Sequence, residues 1–270
     1  MSPAPARVLV VAGSDSGGGA GLQADLKTLM ALGAYGTTAV TALTAQNTRG
    51  VQDVFPVPGE FVARQMSAVL DDIGADCIKT GMLFDGGVIE AVAEVLDRQA
   101  AGVPLVLDPV MVAQSGDPLL RQEAMEALRQ RLLPRATLLT PNVPEAELLS
   151  GLRIRNEDDL PRAAARLMDA GCQAVLIKGG HLEGATVTDL LVTSRGAEPL
   201  QWPRVNTTCD HGTGCTLASA VAAGLAQGLP LGDAVRRARR YLQRALETAV
   251  PLGGGRGPLN HAHCVRPFSD

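Results

Sequence analysis

The stretch RVLVVAGSDSGGGAGLQADLKTLMAL, Arg7–Leu32, decides the architecture. After Arg7 it runs through five apolar residues to Ala12, the mark of a strand covered on both faces. From Ala20 to Leu32 the residues Leu22, Leu26, Leu29 and Met30 fall on one helical face. Between them lies GSDSGGGAG, Gly13–Gly21, a loop whose glycines permit positive φ and close approach of a ligand to the backbone. Strand, glycine loop and amphipathic helix together open a βαβ unit.

The same alternation runs outward from this unit. Strand patterns occupy Thr37–Leu43, Asp76–Thr80, Val103–Leu107, Ala136–Thr140 and Ala174–Lys178. Helical patterns occupy Glu60–Ile73, Gly87–Gln99, Glu123–Leu133, Pro144–Ser150 and Asp158–Ala170. Thr186–Ser194 and Pro199–Val205 suit a hairpin, and helices over Thr213–Gln227 and Leu231–Thr248 close the pattern. This order predicts an α/β fold: a single domain over residues 1–270, doubly wound, with a mostly parallel sheet and helices on both faces. The Gly-, Pro- and His-rich tail, residues 253–270, is expected to be loosely ordered, with His261 and His263 as plain tail residues.

Composition agrees with that architecture. Hydrophobic residues make up 46% of the 270, but aromatics only 3%, so the core must be built from Ala, Val, Leu and Ile. That suits parallel strands under helices better than an aromatic-rich sandwich. A net charge of −4 without a Lys/Arg run argues against a nucleic-acid partner. Arg236, Arg237, Arg239 and Arg240 lie in a helical pattern and read as a solvated face. Five cysteines, no CxxC pair and no apolar run of ~18 residues imply no disulfide framework, no membrane span and a reduced, cytoplasmic setting. Cys77, Cys172 and Cys264 read as small buried hydrophobes.

Ligands of open α/β sheets gather beyond the carboxyl ends of the strands. Here those positions hold Gly13-Ser14-Asp15, Gln46-Asn47, Gly81-Met82, Asp108-Pro109, Pro141-Asn142 and Lys178-Gly179-Gly180, a small, polar and charged set. GSDSGGGAG lacks the lysine of a P-loop and the last glycine of G-x-G-x-x-G, so neither fingerprint is present. The second glycine loop, HGTGC at His211–Cys215, runs straight into a helix. Free amides and the helix dipole make such a turn an anion site, suited to the charge of a transferring phosphoryl group. A helix start also lowers a thiol pKa, which marks Cys215 as a candidate thiolate.

Seven stretches, in order, resemble one family. They are AGSDSGGGAGLQADLKT (Ala12–Thr28), VTALTAQNTRGVQ (Val40–Gln52), IKTGML (Ile78–Leu83), VLDPVMVAQSGDPLL (Val106–Leu120), LLTPNVPEAELLSG (Leu138–Gly151), VLIKGGH (Val175–His181) and HGTGCTLASA (His211–Ala220). The chain resembles the bifunctional hydroxymethylpyrimidine kinase / phosphomethylpyrimidine kinases of thiamine biosynthesis, in the ribokinase-like superfamily. The resemblance implies ATP as co-substrate, Mg²⁺, a small pyrimidine acceptor and a homodimer. It places the aminopyrimidine at Gly13, Asp15, Gln46, Met82 and Val110. Asp108 and Glu145 fall near the metal, with Lys178, Asn142, Thr207 and His211 near ATP. By the same resemblance Gly212, Thr213, Gly214 and Cys215 match the anion hole, with Cys215 where sugar-kinase relatives carry an aspartate base. Pyridoxal kinase is the alternative, its substrate being a similar flat heteroaromatic alcohol. An NAD-binding or thiol-pair enzyme lacks the glycine fingerprint, though His211 lies near Cys215 in sequence. Asp210 and Asn206 depart from the family pattern and bear on ATP affinity. The sequence leaves open whether Ala113–Asp117 closes as a lid.

Overall fold

The computed structural model describes residues 4–111 and 122–266; the segment Ala113–Asp117 lies outside the described residues. Among the described residues nine strands form one sheet in the order β3-β2-β1-β4-β5-β6-β7-β8-β9. They are β1 (Arg7–Asp15), β2 (Tyr35–Asn47), β3 (Gly50–Pro56), β4 (Cys77–Thr80), β5 (Leu105–Leu107), β6 (Leu138–Leu139), β7 (Ala174–Ile177), β8 (Thr186–Thr193) and β9 (Gly196–Pro203). From β2 through β7 all neighbours pair parallel, and β3, β8 and β9 add antiparallel edges. The expected mostly parallel sheet, including the β8–β9 hairpin, is therefore present.

The helices are α1 (Gly21–Ala31), α2 (Gly59–Asp72), α3 (Gly86–Gln99), α4 (Gln122–Ala127), α5 (Val143–Ser150), α6 (Leu160–Asp169), α7 (Thr213–Ala226) and α8 (Leu231–Glu247). β1 shows why they cover both faces. Leu9 and Val11 point into a core shared with α2, α3, α5 and α6, while Val8, Val10 and Ala12 point into one shared with α1, α7 and α8. A period-2 strand buried on both sides needs apolar residues at every position, which Val8–Ala12 supplies.

The structure departs from the sequence reading at several points. The strand β3 had no periodicity to find, because its residues are exposed or half-exposed along an edge. The helix expected over Glu123–Leu133 is broken: α4 passes into a π-helical turn over Leu128–Leu132 and a 3₁₀ turn over Leu133–Arg135. Within the described part of the tail, residues 253–256 are exposed and the stretch around Leu259 and His261 packs against the fold. Leu259 and His261 are buried, Thr216 Oγ1 lies 2.9 Å from His261 Nε2, and Tyr241 Oη donates to the His261 carbonyl at 2.8 Å. The apolar side of α8 supplies the cover that a glycine-rich stretch lacks by itself. All five cysteines are free thiols; Cys77 and Cys172 are buried as expected, but Cys264 is exposed.

Candidate active site

The carboxyl ends of β1, β4, β5, β6 and β7 open onto one cavity of about 700 Å³. Every sequence-predicted site residue borders it: Gly13, Asp15, Gln46, Met82, Asp108, Val110, Asn142, Glu145, Lys178, Thr207, His211 and the bend Gly212–Cys215.

That bend is the N-terminus of α7. Gly212 caps the helix with φ +87°, and a Cβ there would sit 1.9 Å from the Gly19 carbonyl oxygen. The two glycine loops are thereby locked together. Thr213, Gly214 and Cys215 fill the first turn, where amides have no intrahelical acceptor; the Thr213 amide donates instead to the Asp210 carbonyl at 3.3 Å. A Cβ at Gly214 would lie 3.2 Å from Lys178 Nζ and 3.8 Å from Asp108 Oδ2, so the bend, the lysine and the aspartate share one crevice. Gly212→Ala should lower both the melting temperature and turnover, because left-handed backbone alone costs about 1–2 kcal/mol for a non-glycine residue and the carbonyl clash adds to it. A variant with wild-type melting and kcat would contradict this role for Gly212.

Lys178 directly follows β7 and donates to Asp108 Oδ1 at 2.9 Å; Glu145 Oε2 lies 4.0 Å away. Burial works against charging Lys178, but Asp108 and Glu145 hold the ammonium above its usual range. Burial also opposes ionisation of Asp108, yet Lys178 and Lys79 outweigh it and keep the carboxyl below its ordinary value. For Glu145 burial wins and pushes it up to about 7 against the pull of Lys178. Asn142 and Glu145 are further tied by a capping box on α5: Asn142 Oδ1 accepts from the Glu145 amide, and Glu145 Oε2 from the Asn142 amide.

At the other end, Met82 reaches towards Gly13, where a Cβ would meet its Cε at 2.4 Å. Asp15 differs from its expected contact with the pyrimidine. Its Oδ1 accepts from the Gly17 amide, and its Oδ2 from the Gly19 and Ala20 amides and, at 2.9 Å, faces His211 Nε2. Burial pushes this carboxyl up, but the bonds from His211 and the amides bring it below its usual value. Asp15 therefore organises the loop. His211, expected near ATP, is turned to Asp15 and lies 3.4 Å from Gln46 Nε2.

The helix start does not give Cys215 a low pKa. Burial pushes the thiol up to about 11, Lys79 pulls it down, and Asp25 and Asp108 push it further up. Sequence reasoning missed Lys79, which borders the cavity, and its partner Asp25 behind it, both fully buried and in contact at 3.0 Å. A lysine inside the four-residue buried strand CIKT was the available signal. Of the two departures, Asp210 pairs with Arg256 at 3.3 Å, which offsets its charge, whereas Asn206 is exposed.

A doubly wound sheet with a helix N-terminus, a lysine and two carboxylates in one cavity is the arrangement of a small-molecule kinase of the ribokinase-like fold. A family model described as phosphomethylpyrimidine kinase matches residues 15–260. The Streptomyces coelicolor hydroxymethylpyrimidine/phosphomethylpyrimidine kinase is 52% identical over 257 residues, 95% of this chain and 94% of that protein. Among solved structures, the ADP complex of Bacillus subtilis pyridoxal kinase superposes with a TM-score of 0.90 at 37% identity, covering 96% and 98% of the two chains. Phosphomethylpyrimidine kinase from Clostridium difficile gives 0.79 at 40%, covering 88% and 98%. The chain belongs to the phosphomethylpyrimidine kinase family.

Proposed function

We propose that this enzyme uses ATP to phosphorylate 4-amino-5-hydroxymethyl-2-methylpyrimidine to its monophosphate and then to its diphosphate, in thiamine biosynthesis. The observation that carries the reading is the convergence of the Gly212–Cys215 bend, Lys178 and Asp108 on one crevice. The acceptor ring lies between Met82 and Val110, with Gly13 giving room and Gln46 offering an amide to a heteroaromatic edge. Asp15 and His211 brace the loop beneath it. ATP phosphates meet Lys178, Asn142 and Thr207, and the adenine takes the apolar end lined by Val187, Val205, Leu242 and Leu246. The ADP complex of the Bacillus subtilis neighbour supports a nucleotide in this fold.

In the first reaction Cys215 receives the hydroxyl proton, and the oxygen attacks the γ-phosphorus in line. The amides of residues 214 and 215 and the Lys178 ammonium hold the charge that spreads onto the phosphoryl oxygens. In the second reaction the attacking oxygen is already anionic and needs no base.

No group of three or more His, Cys, Asp or Glu side chains among the described residues is arranged to hold a metal alone. Asp108 and Glu145 fit an ion carried largely by phosphate oxygens and water, which is the habit of Mg²⁺. Mg²⁺ held there would neutralise charge on the nucleotide phosphates.

Incubation with ATP and hydroxymethylpyrimidine, analysed by mass spectrometry, should yield the monophosphate and then the diphosphate. Phosphorylation of pyridoxal alone would replace this reading with the vitamin B6 alternative. Relatives at about half identity carry the pyrimidine-kinase name, while the Bacillus subtilis pyridoxal kinase stands at 37%, which favours the pyrimidine.

A homodimer is also proposed, through the β2–β3 edge. Leu43 and Phe55 are cross-strand partners there and are 48% and 67% exposed, an apolar pair for a second copy to cover. Sedimentation should give a dimer of the 28.0 kDa chain, and Phe55→Glu a monomer. A monomeric wild type would remove this part. The cytoplasm is the proposed compartment, in keeping with five free thiols.

A further inference from the structure

A buried ion pair lies under the anion bend and has no part in the chemistry above. Lys79 on β4 and Asp25 on α1 are both 0% exposed. Lys79 Nζ is 3.0 Å from each Asp25 carboxylate oxygen, and Ser219 Oγ donates to Asp25 Oδ1 at 2.6 Å. Ser219 follows Cys215 by four residues on α7, so the two sit one turn apart on one helix face. Through Ser219 that face meets Asp25, which in turn holds Lys79. Gly81 keeps the other side of the ammonium clear, since a Cβ there would come within 3.0 Å of Nζ, and Lys79 borders the cavity. Sinking two charges completely is expensive, and an apolar pair is often as stable or more so. Such a pair beside a reactive group calls for a use.

We propose that Lys79 is a positioning residue for Cys215: its ammonium, pinned by Asp25 and Ser219, is the fixed positive charge beside which Cys215 becomes a thiolate. The thiol proton leaves to solvent through the cavity. The thiolate then takes the hydroxyl proton as the new O–P bond forms and the bond from the γ-phosphorus to ADP breaks. Loss of that proton to solvent restores the thiolate. The groups facing Cys215 are Lys79 from β4, Asp25 from α1, Asp108 from the end of β5 and Lys178 from the end of β7. Of these, Lys79 pulls the thiol down most, and both aspartates oppose it. The inference rests on Cys215 acting as the base.

The test is iodoacetamide labelling of the ligand-free protein between pH 7 and 9, read cysteine by cysteine by mass spectrometry. Lys79→Met should slow labelling of Cys215 about tenfold or more, while exposed Cys264 keeps its rate. Lys79→Met/Asp25→Asn, which removes both charges, should slow Cys215 by less. A loosened fold would act oppositely, speeding Cys215 together with buried Cys77 and Cys209. Unchanged or faster Cys215 labelling in the folded variants overturns the proposal. A wild type unable to phosphorylate hydroxymethylpyrimidine would sink the base role separately, leaving the labelling result standing.

Discussion

Cys215→Ala lowers kcat for hydroxymethylpyrimidine about 10²–10⁴-fold, and kcat for the monophosphate by less than about tenfold. The asymmetry follows from the acceptors. An alcohol oxygen must shed its proton as it attacks, whereas a phosphate oxygen has none to shed. The pH dependence separates the two steps again. With the Cys215 thiol near 11, the thiolate is a small fraction at neutral pH. That fraction grows about tenfold for each pH unit below the pKa. The first phosphorylation therefore climbs between pH 7 and 9, while the second is flat once the acceptor phosphate is a dianion, above about pH 6. Stopped assays with each acceptor across this range check both points. Equal losses for the two acceptors, or matching pH profiles, would contradict a base at Cys215.

Lys178→Met should lower kcat/KM for both acceptors alike, by about 10²–10³-fold. This side chain meets the nucleotide and the moving phosphoryl group, which the two reactions share. Its loss also leaves Asp108, 1% exposed, and Glu145, 6% exposed, without their nearest cation. Removing one partner of a buried pair costs about 3–5 kcal/mol, so the melting temperature should fall as well. Relief comes by protonation: Glu145, already about 7, rises further once Lys178 no longer pulls it down. ATP titration should show weaker binding that recovers in part as the pH is lowered. A variant impaired with one acceptor only would argue that Lys178 serves the acceptor rather than ATP.

Much of the fold and most of the site were legible because both lie in local pattern. Val8–Ala12 reads as a doubly buried strand without reference to anything distant, and the residues after each strand locate the crevice by rule. Gly212 and Gly214 announce the anion bend by their spacing alone. What stayed hidden depends on meetings across the chain. Lys79 and Asp25 are 54 positions apart, and only the packing of α1, β4 and α7 brings them together with Ser219. Asp15 has the composition of a ligand contact, yet its oxygens are taken by amides two to five residues on and by His211 from the far end of the chain. The helix start at Cys215 is local, but the burial that overrides it is not. For β3 the hydrophobic signal is absent because neither face is covered.

The most direct measurement is a crystal structure with ADP, aluminium fluoride and hydroxymethylpyrimidine. The account predicts the fluoride group on the amides of residues 214 and 215, within reach of Lys178, with the substrate hydroxyl between it and Cys215. A fluoride group bound elsewhere, or a hydroxyl turned away from that bend, would contradict it.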